Sequence, residues 1–215
     1  MGNINVDEFN SALNDVRKAH RIIFEYQSRM LDLITFISSK LGFGVAIGEK
    51  LFSDPIKFKK GNAELKIFED MWAWDFIYSY CFRYYFNYLE LETGDFVALS
   101  IIQYSDTGFY ENISENSQLD LKTFANTEDS TSKLLFILEL KPKRIKEYFW
   151  NDKEISENKK YASGSFDKEI INNPKGNILL LYSFKLDRFI NEKSTMEALE
   201  EFNTYCIENI DVDFL

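Results

Sequence analysis

Nine aromatic side chains occupy consecutive even positions: Trp72, Trp74, Phe76, Tyr78, Tyr80, Phe82, Tyr84, Phe86 and Tyr88. A strict period of two, filled with residues that lose rotamer freedom in a helix, predicts extended backbone over 72–88. A polar series four apart (Asp75, Ser79, Arg83, Asn87) is the helical competitor, but the unbroken parity decides for strand. Seventeen residues exceed one ordinary strand, so a bend or bulge is expected near Asp75–Tyr78. The even-numbered face needs a cover, and the first 42 residues supply a candidate. Val6, Phe9, Leu13, Val16, Ile23, Met30, Leu33, Ile37 and Leu41 recur at steps of three, four or seven, one face of a helix. Asn5 with Glu8 forms a capping-box variant at its start, and Gly42 provides the stop. The even aromatics, Phe82 among them, are therefore expected to be buried under this helix.

Downstream, Glu92–Asp95 and Ser105–Gly108 read as turns around a strand at 96–104, apolar on both faces and so central. Residues 109–113 are expected to pair briefly. Residues 105–132 read as an acidic turn and flap, 133–141 as a third strand and 178–184 as a last one, after an Asn-Pro-Lys-Gly-Asn turn. Ile145, Tyr148 and Phe149 mark a short helix in the ambiguous stretch 143–170. A final helix over 194–210 starts at a Ser194/Glu197 capping box, with Met196, Leu199, Phe202, Cys206 and Ile210 on its apolar face. The fold class is α+β: a single domain, 1–215, in which the long N-terminal helix and the C-terminal helix pack on a mainly antiparallel sheet of four to six strands, 66–185.

Charge is unevenly placed. Of the net −10, residues 1–60 carry +2, 61–132 carry −10 and 133–215 carry −2. An acidic chain is poorly suited to phosphate contacts, so no nucleic acid partner is expected. The one-sided field attracts a protein with a basic surface. The most apolar stretch, Met71–Leu91, is broken by Asp75, Arg83 and Asn87, so no membrane span is expected. The N-terminus lacks a signal peptide, and Cys81 and Cys206 read as buried hydrophobes, which points to a cytoplasmic setting. With one histidine, His20, zinc sites and Ser-His or Cys-His catalysis lack partners. Gly42–Lys50 has the wrong spacing for a phosphate loop. No cofactor and no metal are expected.

These features favour a non-enzymatic protein-binding protein, an inhibitor or immunity type that neutralises a toxin or a component of antiviral defence. Asp106, Tyr110, Glu111, Glu115 and Asp120 on the turn and flap are its candidate contacts. An alternative rests on Glu139-Leu140-Lys141 at the end of an apolar strand. That string resembles the strand-end Glu-x-Lys of the restriction-endonuclease-like nucleases. The resemblance implies a preceding Asp, here Asp95 or Asp106, sharing Mg²⁺ with Glu139 while Lys141 orients water. A second alternative is a structural subunit that forms a homodimer through the N-terminal helix.

Overall fold

The computed structural model describes residues 5–44, 47–52, 73, 80–112, 121–143, 155–174 and 176–215. They form two compact units, 1–37 and 38–215. The first is almost entirely helix α1, Val6–Lys40. Its start is capped reciprocally. The Asn5 carboxamide oxygen accepts from the Asp7 N–H at 3.2 Å, and the Glu8 carboxylate accepts from the Asn5 N–H at 3.3 Å. Its end follows from Gly42, whose φ of +74° turns the chain out of the helix. The Phe43 N–H then reaches the Ser38 carbonyl, and the Ser38 hydroxyl donates to the carbonyls of Phe43 and Gly44.

The second unit is built on a six-stranded antiparallel sheet in the order β1-β2-β3-β4-β6-β5, with β1 Ile47–Lys50, β2 Cys81–Glu90, β3 Phe96–Tyr104, β4 Lys133–Lys141, β5 Lys168–Asn172 and β6 Ile178–Lys185. The class is α+β, with a long N-terminal helix, a C-terminal helix and this sheet. β3 and β4 are central, as their two-sided apolar sequences require, and almost all their residues are buried. β1 lies in the stretch Gly42–Lys50, where the sequence marks no strand, and β5 begins at the end of the ambiguous stretch 143–170. Both are edge strands, short and too rich in charge and Gly for periodicity to register.

The aromatic run is strand over 81–90, and the expected bend at 75–78 lies outside the described residues together with Trp72, Trp74, Phe76 and Tyr78. The irregularity within the described part sits elsewhere. Phe86 pairs with Leu99 and Tyr88 with Ala98, so Asn87 is the extra residue of a β-bulge, at φ +20°. Asn tolerates that backbone better than most residues. The bulge moves Tyr88 to the face opposite Phe82, Tyr84 and Phe86, although all four share sequence parity. Even-numbered burial is accordingly uneven. Tyr80, Tyr84 and Phe86 are buried, Phe82 is half-buried and Tyr88 is exposed.

One face of the sheet carries helix α4, Glu192–Ile210. Phe202 lies 5.0 Å from the Phe136 ring and Tyr205 lies 5.3 Å from the Tyr182 ring. Its N-cap is Asn191, with Ser194 at the third helical position completing the capping box. The start therefore lies three residues ahead of the expected one, because an Asn accepts from the helical N–H as well as a Ser does. The opposite face carries Cys81, Ile102, Leu135, Ile137, Leu179 and Leu181. They pack with Tyr110 of helix α2, Gly108–Asn112, and with Tyr161 of helix α3, Lys159–Ala162. Residues 109–112 are thus helical, not a pairing strand. The Asp106 carboxylate accepts from the Gly108 N–H at 2.7 Å and starts that helical turn. The helix expected around Ile145–Phe149 lies outside the described residues.

Gly48 on β1 lies against Phe82, where a Cβ would sit 2.4 and 2.7 Å from two ring carbons. The ring also contacts Tyr84 at 5.0 Å between centroids. Gly48→Ala is expected to cost about 1–3 kcal/mol through overpacking, read from the urea unfolding midpoint. A change below about 0.5 kcal/mol, the scatter of ordinary surface substitutions, would show that the ring swings aside freely.

Candidate functional site

At the end of β2–β4 nearest the β2–β3 turn, the face opposite α4 opens into a cleft of about 120 Å³ lined by Tyr88, Phe96, Ala98, Glu139 and Lys141. The sheet register assembles it. Tyr88 pairs with Ala98, Ala98 with Glu139 and Phe96 with Lys141, so residues from three strands share one surface. Ala98 is small and leaves the space. The Tyr88 and Phe96 rings meet edge-to-face at 5.4 Å. Tyr88 is 49% exposed, whereas Glu139 is 1% exposed and accepts at 2.7 Å from the side-chain amide of Asn177, which precedes β6. Glu90 ends β2 and Glu92 and Asp95 stand on the adjoining turn, with Lys143 3.9 Å from Glu90.

Glu139 and Lys141 thus share a cleft on a central strand. Neither candidate Asp joins them. Asp95 accepts from the Thr93 hydroxyl at 3.2 Å and from the Lys143 N–H at 3.1 Å, ordering the turn. Asp106 lies beyond the far end of β3, whose last residue Tyr104 pairs with Lys133. Lys133 is six positions from Glu139, about 20 Å at strand rise. Among the described residues, no group of three or more His, Cys, Asp or Glu side chains could hold a metal ion.

Of the expected partner contacts, Tyr110 is buried, with its ring 5.5 Å from Tyr104. A phenol in that position is core. Asp106 and Glu111 are half-buried and serve local structure, Asp106 at the start of α2 and Glu111 by accepting from the Gly164 N–H at 2.5 Å. Glu115 and Asp120 lie outside the described residues. Among the described residues, no helix is long and apolar enough to cross a membrane.

The opposite end of the same face holds a buried cation. Lys133 is 1% exposed; its ammonium donates to the Tyr161 and Ser163 carbonyls and lies 5.3 Å from the Tyr104 ring centre. Burial pulls its pKa down to about 8, opposed by the nearby Glu111 carboxylate. Burial also pushes the Cys81 and Cys206 thiols up to about 12, which makes them poor nucleophiles. Two features of this face bear on sequence parity. Parity places Tyr88 with Phe82, Tyr84 and Phe86, and the bulge at Asn87 sets it on the other face. Lys133 carried a readable signal, since it shares parity with the buried Leu135 and Ile137.

A family model matches residues 6–211, nearly the whole chain. No curated protein and no solved structure matches it.

Proposed function

The chain belongs to the PM0109 family, and we propose that it acts by binding another protein, as an inhibitor or immunity-type protein that takes one side chain of its partner into the β2–β4 cleft. The observation that carries this reading is the cleft's lining. Two aromatic walls, one of them the exposed Tyr88, flank a small floor and a buried carboxylate. A volume of about 120 Å³ is below the several hundred Å³ of ordinary small-molecule pockets and suits one side-chain head. Tyr is a favoured anchor of protein interfaces, since it offers a large rigid surface with a polar tip. Aromatic faces and Glu139 both favour a cation. Lys141 opposes part of that attraction, and the small volume admits one head group, so a single Lys or Arg held by the aromatic walls and Glu139 is the fitting occupant. The net charge of −10 supports attraction to a basic partner at long range.

The test uses the tagged full chain to isolate partners from lysate of the source cells, followed by purified binding measurements. Tyr88→Ala is expected to weaken binding by roughly thirtyfold, the scale of a hot-spot truncation, with unfolding unchanged within about 1 kcal/mol because Tyr88 is half exposed. Full affinity in Tyr88→Ala and in Glu139→Gln would sink the cleft as the contact site. The nuclease reading keeps one supporting observation, the shared cleft of Glu139 and Lys141. Magnesium-dependent cleavage of DNA or RNA, lost in Glu139→Gln, would replace the binding proposal with it.

A further inference from the structure

The apolar stripe of α1 has a period of 3.5 residues. Positions 6, 9, 13, 16, 20, 23, 27, 30, 34 and 37 alternate steps of three and four, and eight of the ten are apolar, with His20 and Gln27 the exceptions. This is the a/d pattern of a two-stranded coiled coil, narrower than the stripe of a helix lying on a globular core. Burial along the stripe changes abruptly. Met30, Ile34 and Ile37 are buried, whereas Val6, Phe9, Leu13, Val16 and Ile23 are 38–70% exposed, and Phe24 beside them is 68% exposed. Residues 6–29 span more than three heptads, long enough for a coiled-coil seam.

We infer that residues 6–29 pair antiparallel with the same segment of a second copy of this chain. Charge fixes the orientation. Residues 5–16 carry Asp7, Glu8 and Asp15 with no base, for −3. Residues 17–29 carry Arg17, Lys18, Arg21 and Arg29 against Glu25, for +3. An antiparallel pair sets each acidic half on a basic half, whereas a parallel pair sets like on like. The pairing is isologous and closes at two copies. Of the seven large apolar side chains exposed over residues 6–29, the six on or beside the stripe (all but Ile22), at about 60–120 Å² apiece, bring roughly 700–1,400 Å² from the two copies into the seam. That reaches the lower range of specific interfaces, so the dimer forms at micromolar concentrations. This inference is independent of the cleft, whose residues lie in the other unit.

Sedimentation of the full chain over about 1–200 µM, the range that brackets such an affinity, is expected to show a monomer–dimer equilibrium that raised salt weakens. Leu13→Asp should remove the dimer while circular dichroism retains the helix. Arg17→Glu with Arg21→Glu changes the basic half from +3 to −1, so it should weaken an antiparallel pair at least tenfold and would strengthen a parallel one. A wild-type chain monomeric at every concentration overturns the inference. So does a double variant that dimerises as well as, or better than, the wild type.

Discussion

Phe136→Ala is expected to lower the unfolding free energy by about 3–5 kcal/mol, the largest single-residue effect in the sheet. The ring is fully buried on central strand β4. Three other rings surround it: Phe202 of α4 at 5.0 Å, Phe184 of β6 at 5.4 Å, and Phe189 at 6.2 Å in a parallel stack. Truncation removes one ring from a cluster joining two strands to the helix, and the three that remain belong to separate elements that cannot close the gap together. The cost therefore combines lost transfer energy with a cavity. Urea unfolding followed by fluorescence and by circular dichroism measures it. A loss below about 1 kcal/mol would mean that α4 settles onto the sheet and fills the space. Phe82, which parity alone marks as an equal core residue, is only half-buried and should cost clearly less.

Lys133→Met is expected to destabilise the chain by about 1–3 kcal/mol at pH 7, because the Tyr161 and Ser163 carbonyls lose their donor. That loss outweighs the relief of removing a buried charge. The deficit should also depend on pH in a defined direction. The ammonium is held at about 8 in the folded chain against an ordinary 10.5. Between those values the unfolded chain keeps a proton that the folded chain has released, so stability from this group rises with pH. Relative to Lys133→Met, the wild type should gain up to about 3 kcal/mol from pH 8 to 10.5. The buried Cys206 thiol and the Tyr104 and Tyr110 phenols, whose raised values lower stability at alkaline pH, are common to both proteins and cancel in the difference, whereas the Cys81 thiol, which Lys133 pulls down, rises further in the variant and adds to the wild type's gain. A deficit independent of pH would show that Lys133 keeps its proton throughout.

The elements most legible in the sequence were those whose periodicity reports burial directly. The two-sided apolar runs of β3 and β4 and the apolar face of α4 follow from one rule, that a buried surface must repeat with the backbone, whereas the 3–4 stepping of α1 marks the helix although its stripe is buried only from Met30 onward. β1 and β5 were missed because edge strands bury too little to leave a pattern. The turn after β3 was read correctly, but α2 was not, since five residues beginning at Gly108 carry no helical period. The candidate site was half legible. Glu139 and Lys141 were singled out by chemistry and do line one cleft, while Asp95 and Asp106 were set apart by hydrogen bonds that no spacing rule contains. Tyr110, a candidate contact on the turn and flap by sequence, is buried in the fold. Its burial depends on Tyr104 and Tyr161, which reach it only through the folded sheet.

The bulge at Asn87 makes the chain unevenly tolerant of changes in its own length. Tyr88 already stands opposite Ala98, next to the Phe86–Leu99 pair, with Asn87 looped out between them. Deleting Asn87 would leave a continuous ladder in which Tyr88 still faces the cleft and Phe86 the core. Deleting Tyr85 instead would carry Phe86 across to the opposite surface, against the parity that buries it beside Leu99. A single-codon loss is thus nearly silent at one position and disabling two residues away. β2 holds one spare residue at the point where its duty changes from filling the interior to shaping the surface.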